Sequence, residues 1–453
     1  MTHDIAAAEF APRRITVIGC GYLGAVHAAA MATLGHDVLG FDIDTDKIAL
    51  LEKAETPFYE PGLESLLTEA LATGRLRFTT SYAETAAFGD VHFLCVGTPQ
   101  SAESNAADLS YVDGAIETLA PLLTRPCLVV GKSTVPVGTA ERIRDTLAEL
   151  SPVGAAVRLA WNPEFLREGF AVTDTLTPDR LVVGVDAQGD ADELAALYQP
   201  VLIHGMPWVV TDLATAQLVK SAANAFLATK ISFINAMAEL CEAIGADVVA
   251  LADAIGHDVR IGRKFLQAGL GFGGGCLPKD LRGFMARAEE LGVDQALHFL
   301  RDVDDINMRR RRRAVEVTTQ LLGGSVTGAH IAVLGAAFKP DSDDIRDSPA
   351  LDVATILHER GAKVRVHDPK ALGNARRSRP ALSFVDDPID ACRDSDVVLH
   401  LTEWKVYREL DPVDLGKIVA HKRILDARNA LDSAAYVRAG WDVRALGRPN
   451  VNR

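Results

Sequence analysis

The sequence predicts an α/β protein: two doubly wound, mostly parallel domains joined by a long central helix. Three observations carry that reading. A short apolar strand near the N-terminus runs straight into a glycine-rich turn and an alanine-rich helix. A second strand-and-glycine opening recurs at His330 to Gly335. Between them, from Asp212 to Ile244, apolar residues recur at the helical period over a span longer than most globular helices.

The first strand pattern, Arg14 to Ile18, leads into Gly19-Cys20-Gly21-Tyr22-Leu23-Gly24 and then into a helix ending near Gly35. Asp42 closes the next strand, Asp37 to Ile43. A lone G-x-G-x-x-G is weak, but this one lies between strand and helix with an acidic residue in the expected place, which marks a Rossmann-like dinucleotide site. Glycines let the backbone of Gly19, Gly21, Tyr22, Leu23 and Gly24 approach a pyrophosphate at the helix N-terminus. Asp42 suits ribose hydroxyls and repels a 2′-phosphate, favouring NAD over NADP, while Lys47 nearby pulls the other way.

Further strands are expected at Leu76 to Thr80, Val91 to Val96, Cys127 to Val130 and Leu181 to Val185. Gly97-Thr98-Pro99 and Lys132-Ser133-Thr134-Val135-Pro136 follow their strands directly, where ligands bind in such sheets. Asn162-Pro163-Glu164-Phe165-Leu166-Arg167-Glu168-Gly169 brings two carboxylates towards that rim. Each segment also suits ordinary turn chemistry. On the long helix, Gln217, Lys220 and Asn224 form a polar row that Leu227 and Ile231 continue, which suggests a site.

Gly271-Phe272-Gly273-Gly274-Gly275-Cys276-Leu277-Pro278-Lys279-Asp280 places a thiol on a glycine-rich loop just before a helical pattern. Pro278 suits a first turn. A helix N-terminus favours a thiolate, the reactive form of cysteine, by about 0.3–1 kcal/mol. Mostly ionising a thiol of pKa roughly 8.5 at neutral pH takes about 2 kcal/mol. A cation must therefore help, and Lys279 is one choice; Asp280 opposes ionisation if close but can serve as a base. The competing reading is a glycine turn with an inert buried cysteine.

Met308 precedes Arg309 to Arg313, five arginines that point in all directions on a helix and read as solvated surface or interface charge. After His330 to Leu334 come Gly335-Ala336-Ala337-Phe338-Lys339-Pro340, a helix at Pro349 to Arg360 and a strand at Lys363 to His367 ending in Asp368. This echoes the N-terminal unit, yet Ala336 and Ala337 break the fingerprint, so no second dinucleotide is assigned. Val397 to Leu401 and Ile424 to Leu425 complete a second Rossmann-like domain, free for another ligand.

The 453 residues suffice for two or three domains. A net charge of −14 disfavours nucleic acid and anionic membrane, and no apolar run is long enough to span a bilayer. Met1 to Arg14 lacks a signal-peptide core and reads as a frayed tail. Six scattered cysteines form neither a disulfide framework nor a metal site, so no metal is expected and a reducing cytoplasm is.

A dinucleotide domain, a helix with Lys and Asn, and a loop thiol make one chemical sense: alcohol to aldehyde, thiohemiacetal, thioester, acid. From Arg14 to about Arg444 the chain resembles the UDP-glucose 6-dehydrogenase family of nucleotide-sugar dehydrogenases. The resemblance rests on the N-terminal fingerprint, Glu60-Pro61-Gly62, Lys132-Ser133-Thr134, Asn162 to Leu166, Lys220-x-x-x-Asn224, the Gly271 to Asp280 stretch and Phe338-Lys339-Pro340. It implies NAD as cofactor and oxidation of UDP-glucose to UDP-glucuronate. It implies Cys276 as nucleophile, with Lys220, Asn224 and Asp280 handling alkoxide, oxyanion and water, Glu164 as base for hydrolysis, and Thr134 holding water. It implies substrate contacts from Glu164, Phe165, Leu166, Lys220, Asn224, Phe265, Leu266, Gly273, Phe338, Lys339 and Arg428, with Arg260 reaching a neighbouring subunit. It implies cofactor contacts from Asp42, Lys47, Thr98, Thr134, Glu168, Lys279 and Arg346.

Gly275 stands where many members have Ser, and Leu277, where many have Phe, is shared with GDP-mannose dehydrogenases. The alternatives are therefore GDP-mannose or an N-acetylated UDP-sugar, or a sensor that binds NAD or nucleotide sugar without turnover; the intact Cys276, Lys220 and Glu164 oppose the last. The expected division is 1–211 for NAD, 212–312 for a helical dimerisation region with the thiol loop, and 313–453 for the nucleotide sugar. The apolar face of the central helix suggests a homodimer or larger homo-oligomer.

Overall fold

The structure, a computed structural model, describes residues 10–449. The expected frayed tail falls mostly on residues outside that range; Arg14 itself opens the first strand. The chain divides into two compact units. One runs to Ala223 and includes Arg282–Glu290; the other comprises Asn224–Leu281 and the chain from Leu291 onwards.

The first unit is built on β1 (Arg14–Ile18), β2 (Asp37–Phe41), β3 (Leu76–Thr79), β4 (Val91–Leu94), β5 (Cys127–Gly131), β6 (Val157–Trp161), β7 (Leu181–Val185) and β8 (Trp208–Thr211). They form one sheet in the order β3-β2-β1-β4-β5-β6-β7-β8, parallel throughout except between β6 and β7. The strands are nearly continuous apolar runs because both faces are covered. In β1, Ile15 and Val17 belong to one core cluster and Ile18 to another, as alternate side chains must. From β1 the chain winds outward to β2 and β3, then returns to β4 on the other side. That reversal opens a crevice beyond the ends of β1 and β4, the usual ligand position in such sheets.

The second unit carries a parallel sheet of β9 (His330–Leu334), β10 (Lys363–His367), β11 (Ser383–Phe384), β12 (Val397–His400), β13 (Arg423–Asp426) and β14 (Asp442–Ala445), ordered β11-β10-β9-β12-β13-β14. Strands β8, β11 and β14 were not expected: they are edge strands of two to four residues, too short for a period to show, although β8 is apolar in three of its four positions. The opening of this unit repeats that of the first. Gly19 N donates to Phe41 O and Gly335 N to His367 O, each at 2.8 Å. Cys20 N donates to Asp42 Oδ2 at 2.9 Å, and Ala336 N to Asp368 Oδ2 at 2.8 Å. Asp368, however, also accepts from Ala337 N, Lys370 N, Ala371 N and Trp404 Nε1. With its carboxylate so fully engaged it is poorly placed to hold a ribose.

The central helix, Leu213–Ile244, is 32 residues long. Asp212 caps it, its Oδ1 accepting from Thr215 N at 2.7 Å, and Gly245 in the left-handed region (φ 75°) ends it. The reading of Arg309–Arg313 as solvated charge needs correction. In the helix Phe299–Leu321, Arg310 and Arg311 are 0% and 2% exposed. Arg310 pairs with Glu242 and Arg311 with Asp347 and Asp352. Both fall on the face continued by Leu300, Val303, Ala314 and Val315, so the helix rotation set by those apolar residues carries two charges inward.

Candidate active site

In the first unit, the helix Tyr22–Thr33 begins at Gly21, and no side chain caps it. A Cβ on Gly24 would lie 1.9 Å from Gly19 O, so only glycine lets this helix pack so close to the turn. Above Gly21 there is open space. Uncapped N–H groups, a helix N-terminus and room for a pyrophosphate fit a dinucleotide. Asp42 follows β2 directly, because the strand ends at Phe41 and not at Ile43 as expected. Lys47 Nζ lies 2.8 Å from Asp42 Oδ2, so the cation is committed to this carboxylate.

Tyr22 and Leu23 open the helix, and the Tyr22 hydroxyl donates to Glu60 Oε2. Glu60 accepts from Gly169 N at 2.6 Å and Ala171 N at 2.7 Å. Burial and Glu60 push the Tyr22 phenol up, keeping it a donor. This explains Glu60-Pro61-Gly62: it anchors the segment of Glu168, whose charge also acts on Tyr22, to the glycine turn. At the ends of β4 and β5, Thr98 Oγ1 donates to Thr134 O at 2.7 Å.

Glu164 follows β6. Its Oε2 accepts from Leu166 N at 2.8 Å, and its Oε1 lies 2.9 Å from Lys220 Nζ on the central helix. Lys220 stands 5.6 Å from the centre of the Phe165 ring. Lys132, which had no assigned role, donates to Asn162 Oδ1 at 3.0 Å and faces the Phe93 and Tyr198 rings. Burial pushes this ammonium down to about 8, against the pull of Cys95 and Glu164. It ties the Thr134 segment to the Glu164 segment.

In the second unit, Cys276 is exposed while the other five cysteines are buried. Asp280 N donates to Cys276 O at 2.9 Å, the first bond of the helix Leu277–Glu290. Cys276 therefore stands at the N-cap position of that helix. Asn224 Nδ2 donates to Asp280 Oδ2 at 2.6 Å, and Lys279 Nζ lies 2.7 Å from Asp280 Oδ1. Lys279 thus neutralises Asp280.

Around the loop, the Phe338 ring lies where a Cβ on Gly274 would sit, 2.8 Å from its Cζ, and a Cβ on Gly273 would meet Asp347 O at 2.4 Å. Gly275 lies under the guanidinium of Arg346, which pairs with Asp344. Lys339 Nζ is 5.6 Å from the Phe338 ring centre. Arg428 donates to Leu401 O, Gly271 O and Phe338 O, bracing three segments. Phe265 adopts a left-handed conformation (φ 65°), costly for a bulky residue and typical of functional sites, beside the buried Leu266. Arg260 stands apart from these groups, its side chain 85% exposed and paired with Asp258.

Among the described residues no cluster suits a metal ion, and no helix is long and apolar enough to cross a membrane. Lys132 and Glu60 stand within sequence motifs that assigned them no role of their own; each ties one loop segment to another. The available signal was polar residues standing in apolar rows or strand-end motifs.

Three family models match this chain. They are the NAD binding domain (residues 13–202), central domain (214–309) and UDP binding domain (332–433) of the UDP-glucose/GDP-mannose dehydrogenase family. The UDP-glucose 6-dehydrogenase of Rhizobium meliloti (strain 1021) is 41% identical over 439 residues, covering 96% of this chain and 100% of that protein. A UDP-glucose dehydrogenase structure from the hyperthermophilic archaeon Pyrobaculum islandicum superposes with TM-score 0.89 at 38% identity, covering 97% of this chain and 98% of that one. A UDP-D-ManNAc dehydrogenase structure from Pyrococcus horikoshii gives TM-score 0.85 at 28% identity, covering 97% and 100%. With a glycine turn fit for NAD at one end and the UDP binding domain match at the other, the chain belongs to the UDP-glucose/GDP-mannose dehydrogenase family as an NAD-dependent nucleotide-sugar dehydrogenase.

Proposed function

We propose that the protein oxidises UDP-glucose to UDP-glucuronate through a covalent intermediate on Cys276. The observation that carries this reading is the exposed thiol at a helix N-terminus, on a glycine-rich loop, in a chain about 40% identical to UDP-glucose 6-dehydrogenases. NAD, exchanged for a second molecule between the two oxidations, would supply the hydride acceptor for each. Lys220 and Asn224 stabilise charge on the substrate oxygen. The Cys276 thiolate adds to the C6 aldehyde, forming a C–S bond and a thiohemiacetal, whose oxidation leaves a thioester. Glu164 then takes a proton from water as the water attacks, and the C–S bond breaks to return the thiolate and release the acid. Asp280 and Thr134 orient that water.

In this reading residues 1–211 hold NAD, 212–312 carry the thiol loop and a dimer face, and 313–453 hold the nucleotide sugar. The dimer is supported by Phe226, Phe233, Leu240 and Ile244, which are 67, 49, 53 and 69% exposed along the central helix. The first three repeat every seventh residue, the period of a helix-packing seam. Arg260, exposed on its own loop, serves the neighbouring subunit's substrate. Six free cysteines suit a reducing cytoplasm.

The test is stoichiometry. Two NADH per UDP-glucose, with little free aldehyde, is expected, and Cys276→Ser should abolish acid formation or leave a slowly hydrolysed ester. Near-normal yield of two NADH from Cys276→Ser would overturn the thiol mechanism. The same assay with GDP-mannose and N-acetylated UDP-sugars tests the sugar.

A further inference from the structure

The loop that delivers Cys276 has no strand or helix of its own before Leu277. Between Phe272 and Cys276 stand three glycines, Gly273 to Gly275. Glycine leaves the backbone its widest freedom, so the tether takes its shape from what holds it: Gly274 N donates to Arg346 O at 2.8 Å and Gly275 N to Asp344 Oδ2 at 3.2 Å. The place of the thiol then depends on those bonds and on the two anchors at the ends of the tether. One is the helix beginning at Leu277. The other is the Phe272 peptide.

That peptide is gripped from the helix Phe299–Leu321. Phe272 N donates to Asn307 Oδ1 at 2.7 Å, and Asn307 Nδ2 donates to Phe272 O at 3.0 Å. One carboxamide thus satisfies both peptide groups, as a neighbouring strand would, and Asn307 is 0% exposed. A Cβ on Gly271 would come within 2.2 Å of Asn307 Oδ1, so the grip closes down on bare backbone. One turn along the helix, Arg311 Nη2 donates to Phe272 O at 3.4 Å and to Asp347 O at 3.2 Å, and its Nη1 pairs with Asp352. Arg310 Nε reaches Gly269 O at 3.2 Å. Each of the two buried arginines of the five-arginine run thus gives part of its guanidinium to this stretch, while Arg310 Nη2 turns to Glu242 at 3.4 Å.

We propose that Asn307, supported by Arg311, is a positioning residue for Cys276: it fixes the Phe272 peptide from which the glycine tether carries the thiol to the helix N-terminus. The inference rests on the reading of Cys276 as nucleophile. Asn307→Asp is the sharpest test because it keeps size and the acceptor for Phe272 N but replaces the donor to Phe272 O with a second oxygen. Displacing a reacting group by about 1 Å costs roughly a hundredfold in rate.

The experiment measures kcat and KM for NAD in purified Asn307→Asp. It also measures the pH dependence of Cys276 alkylation by iodoacetamide, by mass spectrometry of the Cys276 peptide, per folded molecule. The expected result is a kcat lower by about a hundredfold, KM for NAD within about threefold, and an alkylation midpoint moved by about half a pH unit as the thiol leaves its place at the helix end. A lower melting temperature with unchanged kcat and an unchanged alkylation profile would overturn the proposal. If Asn307→Asp fails to fold, Arg311→Lys is read the same way: about a tenfold fall in kcat with a shifted profile is expected, and a natural-like profile and kcat would overturn it. Cys276→Ser with normal turnover would sink the nucleophile reading instead, while the alkylation profiles would still report whether Asn307 sets the thiol.

Discussion

Lys220 Nζ lies 2.9 Å from Glu164 Oε1, with the two side chains only 5% and 13% exposed. The pair joins the central helix to the segment after β6. The two opposite charges offset one another in this largely buried place. Glu164→Gln keeps the shape and removes both the charge and the basicity. Thioester hydrolysis should slow by about 10²–10⁴-fold while the first oxidation persists. A mass increase on Cys276 should then accumulate in intact protein mixed with NAD and UDP-glucose. Absence of any adduct, together with slow turnover, would move the base role elsewhere.

We propose that Asp42 sets the choice of cofactor. It is 7% exposed and its carboxylate is shared among Cys20 N, Asp44 N and Lys47. NAD should be preferred to NADP by about a hundredfold, roughly 3 kcal/mol. Asp42→Ser should narrow that gap by freeing Lys47 to meet a 2′-phosphate. Steady-state kinetics with both cofactors measures it, and equal efficiency in the natural protein would refute the assignment.

Phe233→Asp places a charge in the exposed apolar row of the central helix, where Phe233 is 49% exposed. A natural chain that is dimeric or larger by light scattering at micromolar concentration should dissociate in this variant and lose turnover with Arg260's contribution. A monomeric natural protein would contradict the dimer.

Acid should weaken the fold through buried histidines. Burial pushes His92 down to about 4 and lowers His27 and His36 as well. These rings are neutral in the fold, whereas the unfolded chain takes up protons near pH 6.5. Their stabilisation is therefore complete above about pH 6.5 and is lost as pH falls from there. For His92 alone the loss reaches about 3 kcal/mol by pH 4. Melting temperature should fall between pH 7 and 5, and less steeply in His92→Gln. Parallel curves for the two proteins would exclude His92 as a contributor.

What the sequence by itself determined is local. Gly19-x-Gly21-x-x-Gly24 between strand and helix, the 32-residue central helix and Cys276 at a helix start all follow from spacing, period and capping within a few residues. The strand ends at Thr98, Thr134 and Glu164 followed because a parallel sheet puts its ligand rim there. Only the tertiary structure decided which side chains meet across long separations. Tyr22 finds Glu60 and Gly169, Lys132 finds Asn162, and Asn307 and Arg311 find Phe272. The arginine run shows why. Sequence spacing tells that five consecutive residues point around a helix, but which two turn inward depends on the rotation of that helix against its neighbours. Leu300, Val303 and Ala314 set that rotation by burying their apolar surface, a drive without direction. The hydrogen bonds of Asn307 and Arg311 then acquire partners whose places no local rule encodes.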